Sequence, residues 1–319
     1  MSTNSTIDPG RFSRRLTPRT IALEYSSWIL LAVLIIIGTT VSPLFLTPEN
    51  FVDILYQSSI IGVLAIGQFL VILTGGIDLG VGSVLALSAV VGALGVTVGG
   101  VPLGVAGSLV VCGTLGGLTG AVVALGRMPP FIVTFGTLAI ARGLALTLTS
   151  GGPVNLADPA FFAIGNGYWP QIIWAAVILA AYVLLARLPV GRHIYATGGN
   201  EDSARVSGIN TTRILVLVYG LSAVCAAIGG LIFTARSTVA LPTYGQGYEL
   251  QAIAACVLGG TDLFGGTGKL AGVVIGVIIL TMLGNILTLT GVDPFWNFIA
   301  IGAALWISVT FRSRLMVSR

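Results

Sequence analysis

The chain has 319 residues, of which 55% are hydrophobic and 8% charged, with a formal net charge of +4 and a mean hydropathy of +1.01. A soluble domain carries about 25% charge, so this composition excludes an ordinary water-soluble globule and points to a bilayer. The small basic excess gives no case for nucleic acid.

Residues 1–20 are polar and basic and read as a short cytoplasmic tail that helps orient the first span. A cleaved signal peptide would need a shorter apolar region and a small-residue cleavage site, and neither is evident. Candidate spans then lie at 25–45, 57–76, 81–99, 103–125, 131–149, 169–187, 214–236, 248–261, 270–290 and 295–311. A helix needs about 20 residues to cross a hydrocarbon core of about 30 Å. Runs such as "WILLAVLIII" lack the alternation of a β-barrel strand. The expected fold is therefore an all-α integral membrane protein of about ten transmembrane helices, with residues 21–313 forming one polytopic domain and 314–319 a cytoplasmic C-terminal tail. The eighth span is short, and short glycine-interrupted segments can instead be broken helices facing a cavity.

Basic residues flanking short loops stay on the cytoplasmic side. With the N-terminus inside, 13 of the 15 lysines and arginines fall in inside segments. The exceptions are Arg142 and Arg236, within or at the outer ends of their spans. Both termini inside is the consistent topology.

Between the second and third spans the chain writes "LTGGIDLGVG", and after the eighth it writes "LGGTDLFGGTG". Gly75, Gly76 and Asp78 in the first phrase match Gly259, Gly260 and Asp262 in the second, 184 residues on. A carboxylate at membrane depth is expensive and marks a functional candidate. Glycine permits a sharp turn there, and each aspartate can cap the helix after it. Capping, gating and direct contact with cargo all remain open. Both phrases come after spans running from outside to inside, which puts them near the cytoplasmic mouth of a pathway. An even number of intervening spans gives a parallel repeat; an inverted one requires a topology shifted by one crossing.

Catalytic chemistry is absent from the pattern. His193 is the lone histidine, in a loop, and no Cys/His cluster or carboxylate pair has metal or acid-base spacing. Cys112, Cys225 and Cys256 have no paired spacing and read as small core residues. "GGTGK" at 265–269 is no phosphate loop, because Leu263 stands where the first glycine belongs and Leu270 where Ser or Thr belongs.

The largest inside loop, 187–213, predicts a two-turn helix over 201–207. Asn200 serves as its N-cap, Glu201 and Asp202 sit in the first turn, and Gly208 suits the C-terminal cap. So short a helix needs something to pack against, either its own membrane domain or a cytoplasmic partner. Within the spans, Gln68, Thr74, Thr134, Thr137 and Asn285 offer uncharged hydrogen-bonding groups, for a substrate pathway or for interhelical bonds. Arg142 requires a partner or an interface. Gly113-x-x-x-Gly117 and Gly116-x-x-x-Gly120 favour close helix packing, inside the chain or at a dimer seam. The loops at 150–168 and 237–248 are either docking surfaces or ordinary turns.

With these stretches in view, the sequence resembles the membrane permeases of ATP-binding cassette (ABC) importers for monosaccharides, the ribose, xylose and arabinose group of the branched-chain amino acid/ribose-type permeases. The matching pieces are "LVILTGGIDLGVGSVLAL" (70–87), "PPFIVTFGTLAIARGLALTLTSGGPV" (129–154), "GRHIYATGGNEDSARVSGIN" (191–210) and "YELQAIAACVLGGTDLFGGTGKLAG" (248–272). The resemblance runs from about residue 25 to 311. It implies a type II importer-like permease in the bacterial cytoplasmic membrane, working as a dimer with a second permease copy or close relative. It also implies a cytoplasmic ABC ATPase that binds ATP and Mg, and an extracytoplasmic sugar-binding protein. By the same resemblance Gly199, Asn200, Glu201, Ala204, Arg205 and Gly208 form a coupling helix, with 188–213 as the coupling loop. A self-sufficient secondary transporter or channel for a small polar solute is the alternative, and a membrane enzyme or purely structural protein is a third reading, without a convergent catalytic set.

Overall fold

The computed structural model describes residues 18–293, 295–303, 306 and 310, with side-chain environments from residue 26 onward. Residues 1–17 of the tail expected at 1–20, the tail expected at 314–319, and much of the span expected at 295–311 lie outside the described residues, while residues 18–20 open the first helix instead. The elements in chain order are α1 (Pro18–Val41), α2 (Pro48–Leu73), α3 (Val81–Gly126), α4 (Pro130–Thr149), β1 (Val154–Asn155), α5 (Pro159–Ile164) and α6 (Trp169–Ala186). They continue with α7 (Pro189–Gly199), α8 (Glu201–Val206), α9 (Thr211–Ser237), β2 (Val239–Ala240), α10 (Tyr248–Leu258) and α11 (Leu270–Leu289). Beyond them, residues 296–303 are helical.

Six of these helices, α2, α3, α4, α6, α9 and α11, are long and apolar enough to cross a membrane, and Ser26–Val41 and α10 are shorter apolar helices. At 46 residues α3 is too long for one crossing, and it is a hairpin of two helices. Gly99 and Gly100 leave helical geometry, Gly100 with φ of 75°, a conformation that favours glycine. Ser108 then donates back to the Ser88 carbonyl at 3.0 Å, and Cys112 to that of Val84 at 3.7 Å. The spans expected at 81–99 and 103–125 are the two arms of this hairpin.

Helix boundaries are set by caps rather than hydropathy. The span expected from residue 57 begins nine residues earlier, because Thr47 caps the Asn50 amide and Pro48 takes the first helical position, where its missing N–H costs nothing. Hydropathy discounts this first turn for its Glu49. The span expected to reach residue 45 stops at Val41, and residues 43–46 turn. Within the core, α2 is the central post. Val63, Ala65, Phe69, Val71, Ile72 and Leu73 are fully buried against α9, α10, α11 and α6. The α3 hairpin packs across α9 and α4. Gly116 and Gly120 lie directly on the α9 backbone at Tyr219 and Leu215, so that pair is an internal packing face, whereas Gly117 has open space beside it. α4 and α6 turn most of their apolar surface outward, with Phe131, Ile132, Phe135, Ile140, Ile172 and Leu179 exposed.

The two expected outer loops are tied together. Val154 pairs with Ala240 and Asn155 with Val239 in an antiparallel ladder, and Arg236 donates to Asn166 at 3.1 Å. This ladder and α8 sit at opposite ends of α9.

Candidate functional site

Both Gly-Gly-x-Asp-Leu phrases begin as helix C-caps. At the end of α2, Gly75 has φ of 81° and the Gly76 amide reaches back to the Val71 carbonyl at 3.2 Å. At the end of α10, Gly260 has φ of 92° and the Thr261 amide reaches back to Cys256 at 2.9 Å. These are Schellman closures, in which a left-handed glycine satisfies carbonyls that the helix end leaves without partners. The left-handed residue is the first glycine of one pair and the second of the other, so the repeat slips by one residue in three dimensions.

After the caps the aspartates do similar local work at different depths. Asp78 is 6% exposed; its carboxylate accepts from the Gly80 amide at 2.8 Å and from the Ser222 hydroxyl of α9 at 3.0 Å. Asp262 is half-buried and accepts from the Phe264 amide at 3.0 Å. Each closes a turn onto the amide two residues ahead. Neither is the N-cap of the next helix, since Gly80 precedes α3 and Lys269 precedes α11. The expected capping is therefore redirected to the turn itself, because each aspartate lies at least two residues ahead of the position that precedes the next helix.

Three of the expected pathway residues converge on the first phrase. In the amide orientation that satisfies both its atoms, Gln68 donates to the Asp78 carbonyl at 2.9 Å and accepts from the Asp78 amide at 3.1 Å. Thr134 of α4 donates to the Ile77 carbonyl at 3.0 Å. Thr137 shares a 2.7 Å hydrogen bond with Thr119 and packs beside Gly80. Thr74 donates to its own helix at Val71, 2.8 Å away. Asn285 lies elsewhere, in a reciprocal amide pair with Asn50 at 2.6 and 3.1 Å. Arg142 donates to the carbonyls of Pro242 and Tyr244, the latter at 2.9 Å, and so holds the loop between β2 and α10. That loop meets the start of α3, where Gly245 and Gly82 lie backbone to backbone.

The two phrases also touch each other. The Gly266 amide donates to the Leu73 carbonyl at 3.0 Å, so α2 and α10 run the same way into one junction. A β-carbon on Gly265 would stand 2.7 Å from the Gly75 nitrogen and 2.9 Å from the Gly198 carbonyl oxygen. One on Gly198 would land on the Leu73 carbonyl oxygen, and one on Gly266 would come within 2.8 Å of the Gly199 Cα. Thus the end of α7 is wedged against both phrases. Tyr195 of α7 adds a hydrogen bond to the Gly268 carbonyl at 3.0 Å, and burial pushes its phenol above the usual range.

From this wedge the chain turns directly into α8. Asn200 caps the Ser203 amide at 2.7 Å and Gly208 has φ of 85°, as the sequence predicts, and Ala204 is buried. Arg205 pairs with Glu201 at 2.7 Å, both about half exposed, and also reaches Thr211 at 3.3 Å. A cavity of about 460 Å³ lies beside α8, lined among others by Thr74, Gly75, Arg127, Glu201, Asp202 and Arg205. Val206 and Phe264, each 91% exposed, are large apolar side chains of α8 and of the second phrase.

Sequence reasoning missed three participants. α7 lay in what read as loop, although Pro189 at its first position is a helix-start signal. Ser222 and Tyr219 look like ordinary members of an apolar span, yet Ser222 binds Asp78, and the buried Tyr219 hydroxyl lies against Gly76 without a hydrogen-bond partner among the described residues. Among the described residues there is no cluster of three His, Cys, Asp or Glu able to hold a metal ion.

The family described as the branched-chain amino acid transport system / permease component matches residues 50–310. The ribose import permease protein of Escherichia coli (strain K12) is 42% identical over 306 residues, 93% of this chain and 95% of that protein. The ribose import permease protein of Bacillus subtilis (strain 168) is 42% identical over 287 residues, 88% of this chain and 89% of that one. The D-allose transport system permease protein of Escherichia coli (strain K12) is 37% identical over 295 residues, 90% of each chain. No solved structure matches the chain. With six helices long and apolar enough to cross a membrane and a match over residues 50–310, this chain belongs to the branched-chain amino acid transport system / permease component family.

Proposed function

We propose that this chain is the membrane permease subunit of an ABC importer that moves a monosaccharide into the cytoplasm. The sugar arrives on an extracytoplasmic binding protein, and ATP with Mg is hydrolysed on a separate ATPase subunit. The importer holds two permeases, this chain with a second copy or a close relative, in the bacterial cytoplasmic membrane. Its spans number ten, with both termini cytoplasmic, and the outward apolar faces of α4 and α6 meet lipid or the second permease.

One observation carries the reading: α8, a capped helix with an exposed charged face, issues from a wedge between the two glycine-aspartate phrases. α8 is too short to be stable alone, and the wedge gives it a rigid base. A push on α8 by a closing ATPase pair is delivered to the ends of α2 and α10 together, a rigid-body mode of coupling. The names of the ribose and allose relatives favour a monosaccharide as cargo.

Proteoliposomes containing the permease, its co-purifying ATPase and its binding protein test this directly. Uptake of radiolabelled D-ribose, D-allose or L-arabinose that requires ATP is the expected result. Gradient-driven uptake by the permease alone would replace it with the secondary-transporter reading.

A further inference from the structure

At the end of the molecule opposite α8, a second cavity of about 300 Å³ opens between α2, α9, α10, α11 and the helical residues 296–303. Its polar and aromatic walls are Tyr56, Gln57, Tyr248, Gln251, Thr281 and Asn297. Among the described residues that line it, none is Asp, Glu, Lys, Arg or His. Tyr248 is held edge-on to Phe233, with ring centroids 6.2 Å apart, and Arg236 lies over the Tyr56 ring at 4.9 Å. The aromatic walls are thus fixed before any ligand enters.

The amides in this cavity lack partners of their own. The Asn297 side-chain oxygen is buried without a hydrogen-bond partner among the described residues, which is unfavourable unless something answers it. Gln57 and Gln251 have no side-chain hydrogen bond among the described residues, while Thr281 is already bound to Ser58 at 2.7 Å. Gly284 leaves the space that Asn297 occupies, since a β-carbon there would sit 3.3–3.4 Å from the amide. Three amides and two anchored aromatic rings in the lining, with no charged side chain among the described lining residues, suit a ligand rich in hydroxyls and free of ionised groups.

We propose that this cavity is a binding site for a neutral monosaccharide within the permease, selective against sugar acids and sugar phosphates. The inference rests on the importer reading and names its site. α2 and α10 wall the cavity at one end and terminate in the two phrases at the other. The helices that hold the sugar are therefore those that α7 and α8 press upon, and movement at the α8 end reshapes the cavity.

The test uses the importer reconstituted with its ATPase and binding protein, with D-ribose, D-allose and L-arabinose as probes. Gln251→Leu and Asn297→Leu remove hydrogen-bonding groups at similar volume. Each is expected to lower uptake of the transported sugar at least tenfold, with ATPase co-purification unchanged. A Gln57→Cys variant covers any failure of those two to assemble. The three native cysteines are buried, so a bulky maleimide reacts at residue 57 and should lower uptake at least tenfold below that of the unaltered importer given the same treatment. Normal uptake by the assembled leucine variants, or by the labelled cysteine variant, overturns the site. If the unaltered importer moves none of the three sugars, the importer reading itself fails instead.

Discussion

The two glycine-aspartate phrases are near-copies in sequence and part company in structure. In the first, seven residues (74–80) link α2 to α3 through the interior, and Asp78 is bound by Gly80, Ser222 and, through its backbone, Gln68. In the second, residues 259–269 link α10 to α11, Asp262 among the described residues binds within its own turn, and Phe264 stands 91% exposed. The shared letters encode the shared part, a helix end closed by a left-handed glycine and then an aspartate turn. The difference is set by neighbours: α4 and α9 enclose the first link, whereas the second lies beside α7. One phrase anchors the break in the core, and the other presents that anchor to α7 and α8.

That contrast can be broken most severely where the phrases meet. Gly198→Val drives a side chain onto the Leu73 carbonyl and toward the Gly266 amide, and should cost about 3 kcal/mol or more. Thermal unfolding of the purified permease and sugar uptake should both collapse. Next, Asp78→Ala leaves the Gly80 amide and the Ser222 hydroxyl without an acceptor. At about 1–3 kcal/mol for each buried group, a clear loss of thermal stability is expected. The same truncation at Asp262 removes one partly solvated hydrogen bond and should cost no more than about 1 kcal/mol. Equal losses at the two sites would erase the distinction between them.

Asp78→Asn sharpens the comparison further, because the amide can still accept from Gly80 while donating to the Ser222 oxygen. Stability within about 1 kcal/mol of the parent is expected, with uptake retained. Normal assembly with severe loss of uptake would give the carboxylate a gating role. The smallest effect on folding is predicted for Glu201→Arg combined with Arg205→Glu, since an exposed i,i+4 pair is worth about 0.3–0.5 kcal/mol. The ATPase recovered with that double variant should nevertheless drop at least tenfold, and unchanged recovery would count against α8 as the docking helix.

Much of this was legible in the sequence for a physical reason: helix ends and membrane depth are written locally. Asn200, Gly208 and the length of α8 come from capping chemistry, and the Gly75–Gly76 break comes from glycine beside a carboxylate in an apolar chain. The features that escaped depend on contacts across the fold. The destinations of Gln68 and Thr134, the pairing of Asn285 with Asn50, and the meeting of Leu73 with Gly266 join residues far apart in the chain. No local pattern encodes them. α7 is the intermediate case, since its Pro189 start was visible but its terminal glycine pair read as loop.

The most direct test is to purify the tagged permease from native membranes, identify the proteins that come with it, and assay ATP hydrolysis with and without sugar-loaded binding protein. Recovery of an ATPase whose activity rises with the loaded binding protein is the predicted result. A permease that emerges alone, and moves sugar in liposomes without ATP, would contradict it.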